Sequence, residues 1–171
     1  MRSALSAWGL AVADAVPGAR PLPVESLHVT LCFIGSVDAE RVGEIAAACH
    51  EVASGARAVR LAVSEPLWLP PRRPRVAAAG LHDDSGALAE LQAALAAALV
   101  DGGWLAPEKR GFTPHVSVLR LRRGPRGRPP PLAAPPAQDF ISARVTLYRS
   151  QTEREGTRYE AQAAVDLRPV R

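Results

Sequence analysis

Two short stretches of this 171-residue chain carry residue types suited to moving protons at a phosphorus centre. The first is Leu27-His28-Val29-Thr30-Leu31, and the second is Pro114-His115-Val116-Ser117-Val118. Each places a histidine at the head of an apolar, β-branched run, with a hydroxyl two residues later. Side chains two apart on a strand share a face. His28 and Thr30 therefore point one way while Val29 and Leu31 point the other, and the same division holds for the second stretch. Breaking a phosphodiester takes one group to remove a proton from the nucleophile and another to give one to the leaving oxygen. Histidine titrates near neutral pH and does either. A hydroxyl donates to a non-bridging phosphoryl oxygen and holds the phosphorus between two imidazoles. The scheme calls for no metal and no cofactor, and no carboxylate-rich or cysteine–histidine spacing suggests a metal site. His50, late in a helical segment, and His82, in a turn, read as surface or local structural residues.

The elements that must position these residues follow from periodicity. Leu5, Trp8, Val12 and Val16 repeat at helical spacing until Pro17-Gly18. Pro21 and Pro23 impose extended backbone, and residues 27–34 read as a strand closed by Gly35-Ser36. Asp38 caps a helix over 39–53 with Val42, Ile45, Ala46 and Cys49 inward. Residues 59–63 alternate as a strand. Pro66, Pro70, Pro71 and Pro74 mark a loop, made basic by Arg72, Arg73 and Arg75. A short strand over 76–81 follows, then a helix over 86–100 capped by Asp83 or Asp84. A strand covers 115–121. Residues 122–136, rich in arginine, glycine and proline, read as a surface loop. Residues 140–148 read as a strand, Glu155-Gly156 as a turn and 158–167 as the returning strand of a hairpin. Helices and strands do not alternate cleanly and the chain closes on a hairpin, so the expected class is α+β with largely antiparallel sheets.

With 47% hydrophobic and 22% charged residues, a packed fold is expected, as one domain or two small lobes sharing a core. The net charge of +4 favours an anionic partner. Cys32 and Cys49 read as buried free thiols. No apolar run reaches membrane-spanning length, and a soluble cytoplasmic monomer is the expectation.

The two motifs resemble those of the 2H phosphoesterase superfamily. Within it they resemble bacterial and archaeal RNA 2',3'-cyclic phosphodiesterases, once named 2'-5' RNA ligases. The likeness extends to Pro23-Val24-Glu25-Ser26 before the first motif and Phe33-Ile34-Gly35 after it. It continues in Arg73-Pro74-Arg75-Val76, in Phe112-Thr113 before the second motif and Leu119-Arg120 after it, and in Val145-Thr146-Leu147-Tyr148-Arg149-Ser150 with Gly156 and Tyr159.

The resemblance implies a single catalytic domain over residues 1–171. It would be a bilobal fold with two sheets flanked by helices and related by a pseudo-twofold, each lobe giving one motif to a cleft between them. It implies hydrolysis of RNA-terminal or nucleoside 2',3'-cyclic phosphates to 2'-phosphates. His28 would protonate the departing 3' oxygen, His115 would activate water, and Thr30, Ser117 and Arg120 would hold the phosphate. Arg120 lies five residues past His115, so an ideal strand turns it away; a bulge must bring it back. Arg72, Arg73 and Arg75, with Arg122, Arg123, Arg126 and Arg128, are candidates for guiding RNA, against ordinary solubilising loop residues. Relatives begin with an apolar strand and carry lysine at the position of Cys32 and an aromatic at that of Ala78; this chain departs at all three. Trp68 and Phe112 remain as rings that would stack on a base, with core packing the competing role. These departures keep open a non-catalytic RNA- or nucleotide-binding module on the same scaffold. Another 2H activity, such as 2'-5' ligation or cleavage of a different cyclic or 2'-5' phosphodiester, stays open too.

Overall fold

The computed structural model describes residues 1–122, 129–153 and 156–170. The chain divides into two compact units. The first comprises Met1–Thr30, Leu61–His82 and Thr113–Phe140, and the second Leu31–Arg60, Asp83–Phe112 and Ile141–Arg171.

The first unit is built on helix α1 (Arg2–Ala15) and a five-stranded sheet. The strands are β1 (Ala19–Pro21), β2 (Val59–Leu69), β3 (Val76–His82), β4 (His115–Leu121) and β5 (Asp139–Ser142), in the order β1-β4-β3-β2-β5. The registered pairs in it are antiparallel. Leu5, Trp8 and Val12 form the buried stripe of α1 that the helical spacing predicts. Gly18, at φ 76°, supplies the left-handed turn that ends the segment. Gly9 lets the helix approach β4 closely: a Cβ there would stand 3.0 Å from Val118 Cβ and 3.2 Å from its carbonyl oxygen. Behind the sheet the core is Leu5, Leu27, Val116, Val118 and Leu119, all at or near zero exposure.

In the second unit, helices α2 (Val42–Gly55) and α3 (Ala87–Asp101) lie with a long hairpin, β6 (Arg144–Glu153) paired antiparallel to β7 (Gly156–Asp166). Ala53, Ala58, Leu91, Leu95 and Leu167 make its core, with Cys32 and Cys49 half-buried at the margin as free thiols. The Asp83 carboxylate accepts from the Ser85 and Leu88 amides, at 2.9 and 2.8 Å, and so caps α3 as the sequence suggests. Two antiparallel sheets flanked by helices are the α+β arrangement expected of the chain.

Four expectations change. Residues 27–34 are not a strand: apart from one bridge at Val29 the segment is irregular. The 66–74 loop is shorter, because β2 runs on through Pro66 to Leu69. A bulge between Val63 and Pro66 lets a residue without an amide hydrogen sit in the strand. The helix expected from Ala39 starts with a 3-10 turn, Ala39–Arg41, before α2. The strand expected over 140–148 is two, β5 and β6, broken at Ala143 and assigned to different sheets. The Glu155-Gly156 turn falls partly outside the described residues, and residues 123–128, with Arg123, Arg126 and Arg128, lie wholly outside them.

Candidate active site

Strand β4 is the scaffold of the candidate site, and its outer edge is lined by a single interrupted strand. β1 pairs with β4 at Ala19–Leu121, Arg20–Arg120 and Pro21–Leu119, and the Leu22 amide donates to the Val118 carbonyl at 2.8 Å. The chain then leaves the edge through the 3-10 turn Val24–Ser26 and returns at Val29, which bridges antiparallel to Val116. Pro21 and Pro23 suit an edge where amides are not all needed. Leu27, fully buried, anchors the returning segment.

That single bridge fixes the geometry of both motifs. Antiparallel pairing carried one residue either side of Val29–Val116 would set His28 across from Ser117 and Thr30 across from His115. In that register the four side chains would share one face, with the histidines on a diagonal. Directly opposed Cβ atoms lie roughly 5 Å apart and diagonal ones roughly 7–8 Å, a gap that fits one phosphate between two imidazoles. Both motifs fall within the first unit, one on β4 and one on the segment bridged to it.

The two histidines are held alike. His28 Nδ1 lies 2.7 Å from the Ser26 carbonyl oxygen, and His115 Nδ1 lies 2.7 Å from that of Thr113. A carbonyl only accepts, so each Nδ1 carries the hydrogen and Nε2 is the basic nitrogen of each neutral ring. Burial lowers the His28 pKa below its ordinary 6.5, and the positive charges of Arg2 and Arg120 lower it further, against the opposing pull of the Ser26 carbonyl. His28 is thus neutral in the free protein at neutral pH.

Arg120 joins the same face. Ala78 pairs with Ser117 and Ala77 with Leu119, so β4 carries one extra residue, a bulge at Val118. Val76 then opposes Arg120. Val76 and Ala78 share a face, and so do Arg120 and Ser117. The bulge that the five-residue spacing demands is present, and the effect of Arg120 on His28 agrees with it.

The same register places other candidates elsewhere. Trp68 opposes Ala77, on the face away from the motifs, and its indole N–H donates to the Pro130 carbonyl at 2.8 Å. Trp8 likewise donates to the Ala133 carbonyl at 3.2 Å, so these two tryptophans fasten the proline-rich stretch. Phe112 and Cys32 belong to the second unit, where Cys32 packs on the apolar core. His50 is exposed on α2, and His82 is exposed at the end of β3 rather than in a turn. Arg72, Arg73 and Arg75 are exposed in the β2–β3 connection, and Arg75 donates to the Arg122 carbonyl at 3.3 Å. Among the described residues no group of three or more His, Cys, Asp or Glu side chains is placed to hold a metal ion, and no helix is long and apolar enough to cross a membrane.

Ser64 is a residue that the sequence did not mark. Gly80 pairs with His115, and a Cβ on Gly80 would stand 2.8 Å from Ser64 Oγ and 3.0 Å from the Glu65 carbonyl oxygen. The pairs Ala62–His82 and Val63–Leu81 lead Ser64 to Gly80, so a third hydroxyl joins the face of His115. The one local signal is the period-two alternation through Leu61 and Val63, which turns Ser64 to the opposite face.

The sequence model of the 2'-5' RNA ligase superfamily matches residues 5–151. The crystal structure of TT0787 of Thermus thermophilus is similar at 25% identity and a TM-score of 0.81, covering 98% of this chain and 92% of that one. Apo LigT of E. coli superposes at a TM-score of 0.74 with 23% identity, covering 96% and 91%. LigT complexed with 3'-AMP superposes at 0.76 with 24% identity, covering 98% and 92%. No curated protein sequence matches the chain. With the paired motifs on one sheet face and the family match spanning most of its length, this chain belongs to the 2'-5' RNA ligase superfamily.

Proposed function

We propose that this protein hydrolyses an RNA-terminal 2',3'-cyclic phosphate to the 2'-phosphate, without a metal, by acid–base catalysis between His28 and His115. The observation that carries the reading is the Val29–Val116 bridge, which brings the two motifs side by side. It is supported by two imidazoles held in the same tautomer, each two residues from a hydroxyl. Thr30, Ser117 and Arg120 bind the phosphoryl oxygens, the arginine matching charge and the hydroxyls fixing orientation. His115 takes a proton from the attacking water. His28, which takes up a proton from solvent as the bound anion raises its affinity, gives that proton to the departing 3' oxygen. Superposable LigT structures hold phosphate and 3'-AMP, which fits a site for a nucleotide phosphate.

The test is incubation of the purified chain with cyclic-phosphate-ended RNA in EDTA, with the product isomer identified by phosphorus NMR. A 2'-phosphate formed in EDTA is the expected result. Turnover that appears only on adding a divalent cation would overturn the mechanism. A 3'-phosphate would keep the histidine pair and reverse which ribose oxygen departs.

A further inference from the structure

Arg20 and Arg120 are direct cross-strand partners at the edge of the sheet. Directly opposed residues project from the same face, so Arg20 shares the face of Arg120, Ser117 and the histidines. Both arginines are exposed, and among the described residues neither is in an ion pair; the pairs found there are Arg41–Glu44, Arg110–Glu108 and Arg144–Asp166.

Like charges set directly opposite each other on a sheet destabilise it. A cross-strand arginine pair without a carboxylate is therefore a fork that an anion would relieve. Along β4 the fork lies about two strand steps from Ser117 once the bulge is counted, roughly 7 Å, which is the scale of one nucleotide step.

We infer that Arg20 and Arg120 form a second phosphate subsite, which takes the 5' phosphate of the terminal nucleotide while the histidine square holds the reacting one. The inference rests on the proposed function for the identity of the first phosphate. It makes the preferred substrate a strand end, or a nucleotide with a 5' phosphate, rather than a nucleoside cyclic phosphate. Arg120 serves both phosphates and Arg20 only the second, so Arg20 determines specificity. Arg75 and Arg122 adjoin the same end of the sheet, since the Leu121 amide donates to the Arg75 carbonyl at 2.8 Å. The positive potential therefore continues away from the histidines in the direction a strand would run.

The experiment compares kcat/KM for adenosine 2',3'-cyclic phosphate with and without a 5' phosphate. The wild-type protein should favour the 5'-phosphorylated substrate about tenfold, the effect of one charge-assisted contact. Arg20→Met should bring the ratio close to one, and Arg20→Lys should keep part of it. Equal rates for the two substrates in the wild type, or an unchanged ratio in Arg20→Met, would overturn the subsite. Calorimetry with adenosine 2',5'-bisphosphate and adenosine 2'-monophosphate reads the same subsite without catalysis. A protein that turns over neither substrate but binds the bisphosphate tighter, with the margin lost in Arg20→Met, would refute the proposed reaction and keep the subsite. Equal binding of the two ligands would refute the subsite. Arg20→Met should melt no lower than wild type, because it removes a like-charge contact; a lower Tm with an unchanged substrate ratio would make Arg20 structural.

Discussion

At the scale of single residues, the two histidines are alike in tautomer and differ in environment. His28→Ala and His115→Ala should each slow turnover at least about a hundredfold, as removal of a positioned acid or base does. The double variant should be little worse than either, because the pair acts as a unit. Thr30→Ala and Ser117→Ala should cost less, since each removes one of several phosphate contacts; single-turnover rates check all five variants. The lowered pKa of His28 gives a further expectation. In the free protein burial disfavours the charged ring, and an anion held against it raises its proton affinity. Between the free and bound values the complex holds more protons than its parts. Phosphate or 2'-AMP binding should therefore take up a proton near neutral pH and tighten as the pH falls. Calorimetry in buffers of different ionisation enthalpy measures that uptake, and proton release on binding would contradict it.

At the scale of elements, the candidate site depends on irregularities in strands. The bulge at Val118 turns Arg120 to the histidine face and pushes Val118 toward α1. Gly9 makes room for it. Gly9→Ala should destabilise the protein by about 1–3 kcal/mol, the usual cost of overpacking. Val118→Ala in the same chain should restore part of the loss, a non-additivity that a double-mutant cycle of chemical denaturation reads. Additive losses would mean that helix and bulge are not in contact in solution. Beside the second bulge, between Val63 and Pro66, Ser64 lies against Gly80. Gly80→Ala would meet the Ser64 hydroxyl and the Glu65 carbonyl, so it acts on the floor beside His115 and not on the imidazole itself.

At the scale of the whole chain, the +4 net charge takes on a location. Arg20 and Arg120 stand on the sheet face of the histidines, Arg75 and Arg122 meet at the end of β4, and Arg72 and Arg73 are exposed in the connection before β3. Charges that hold a polyanion without reading its bases act through counterion release. Replacing Arg72, Arg73 and Arg122 together should weaken binding of a long RNA and flatten its dependence on salt, with little effect on a mononucleotide. Filter binding over a salt series checks this. Unchanged affinity and slope would leave these arginines as solubilising residues.

The sequence by itself determined the residue types of the candidate site and most of the elements. Two histidine–valine–hydroxyl runs carry their own period, so His28 with Thr30 and His115 with Ser117 share faces wherever the backbone is extended. The amphipathic stripe of α1, the Asp83 cap of α3 and the closing hairpin are local signals, and local physics writes them into the chain. What tertiary structure decided is everything that depends on a partner strand. Residues 27–34 have the composition of a strand, yet only Val29 finds a bridge, because the 3-10 turn at Val24–Ser26 takes the chain off the edge of β4 just before it. Ser64 and Arg20 joined the histidine face through pairing registers with β3 and β4, and Trp68 left it the same way. A register is a relation between distant segments, and a one-residue bulge reverses every face beyond it. For that reason the spacing of His115 and Arg120 posed the question of a bulge, and only the pairing of Ala77 with Leu119 and of Ala78 with Ser117 answered it.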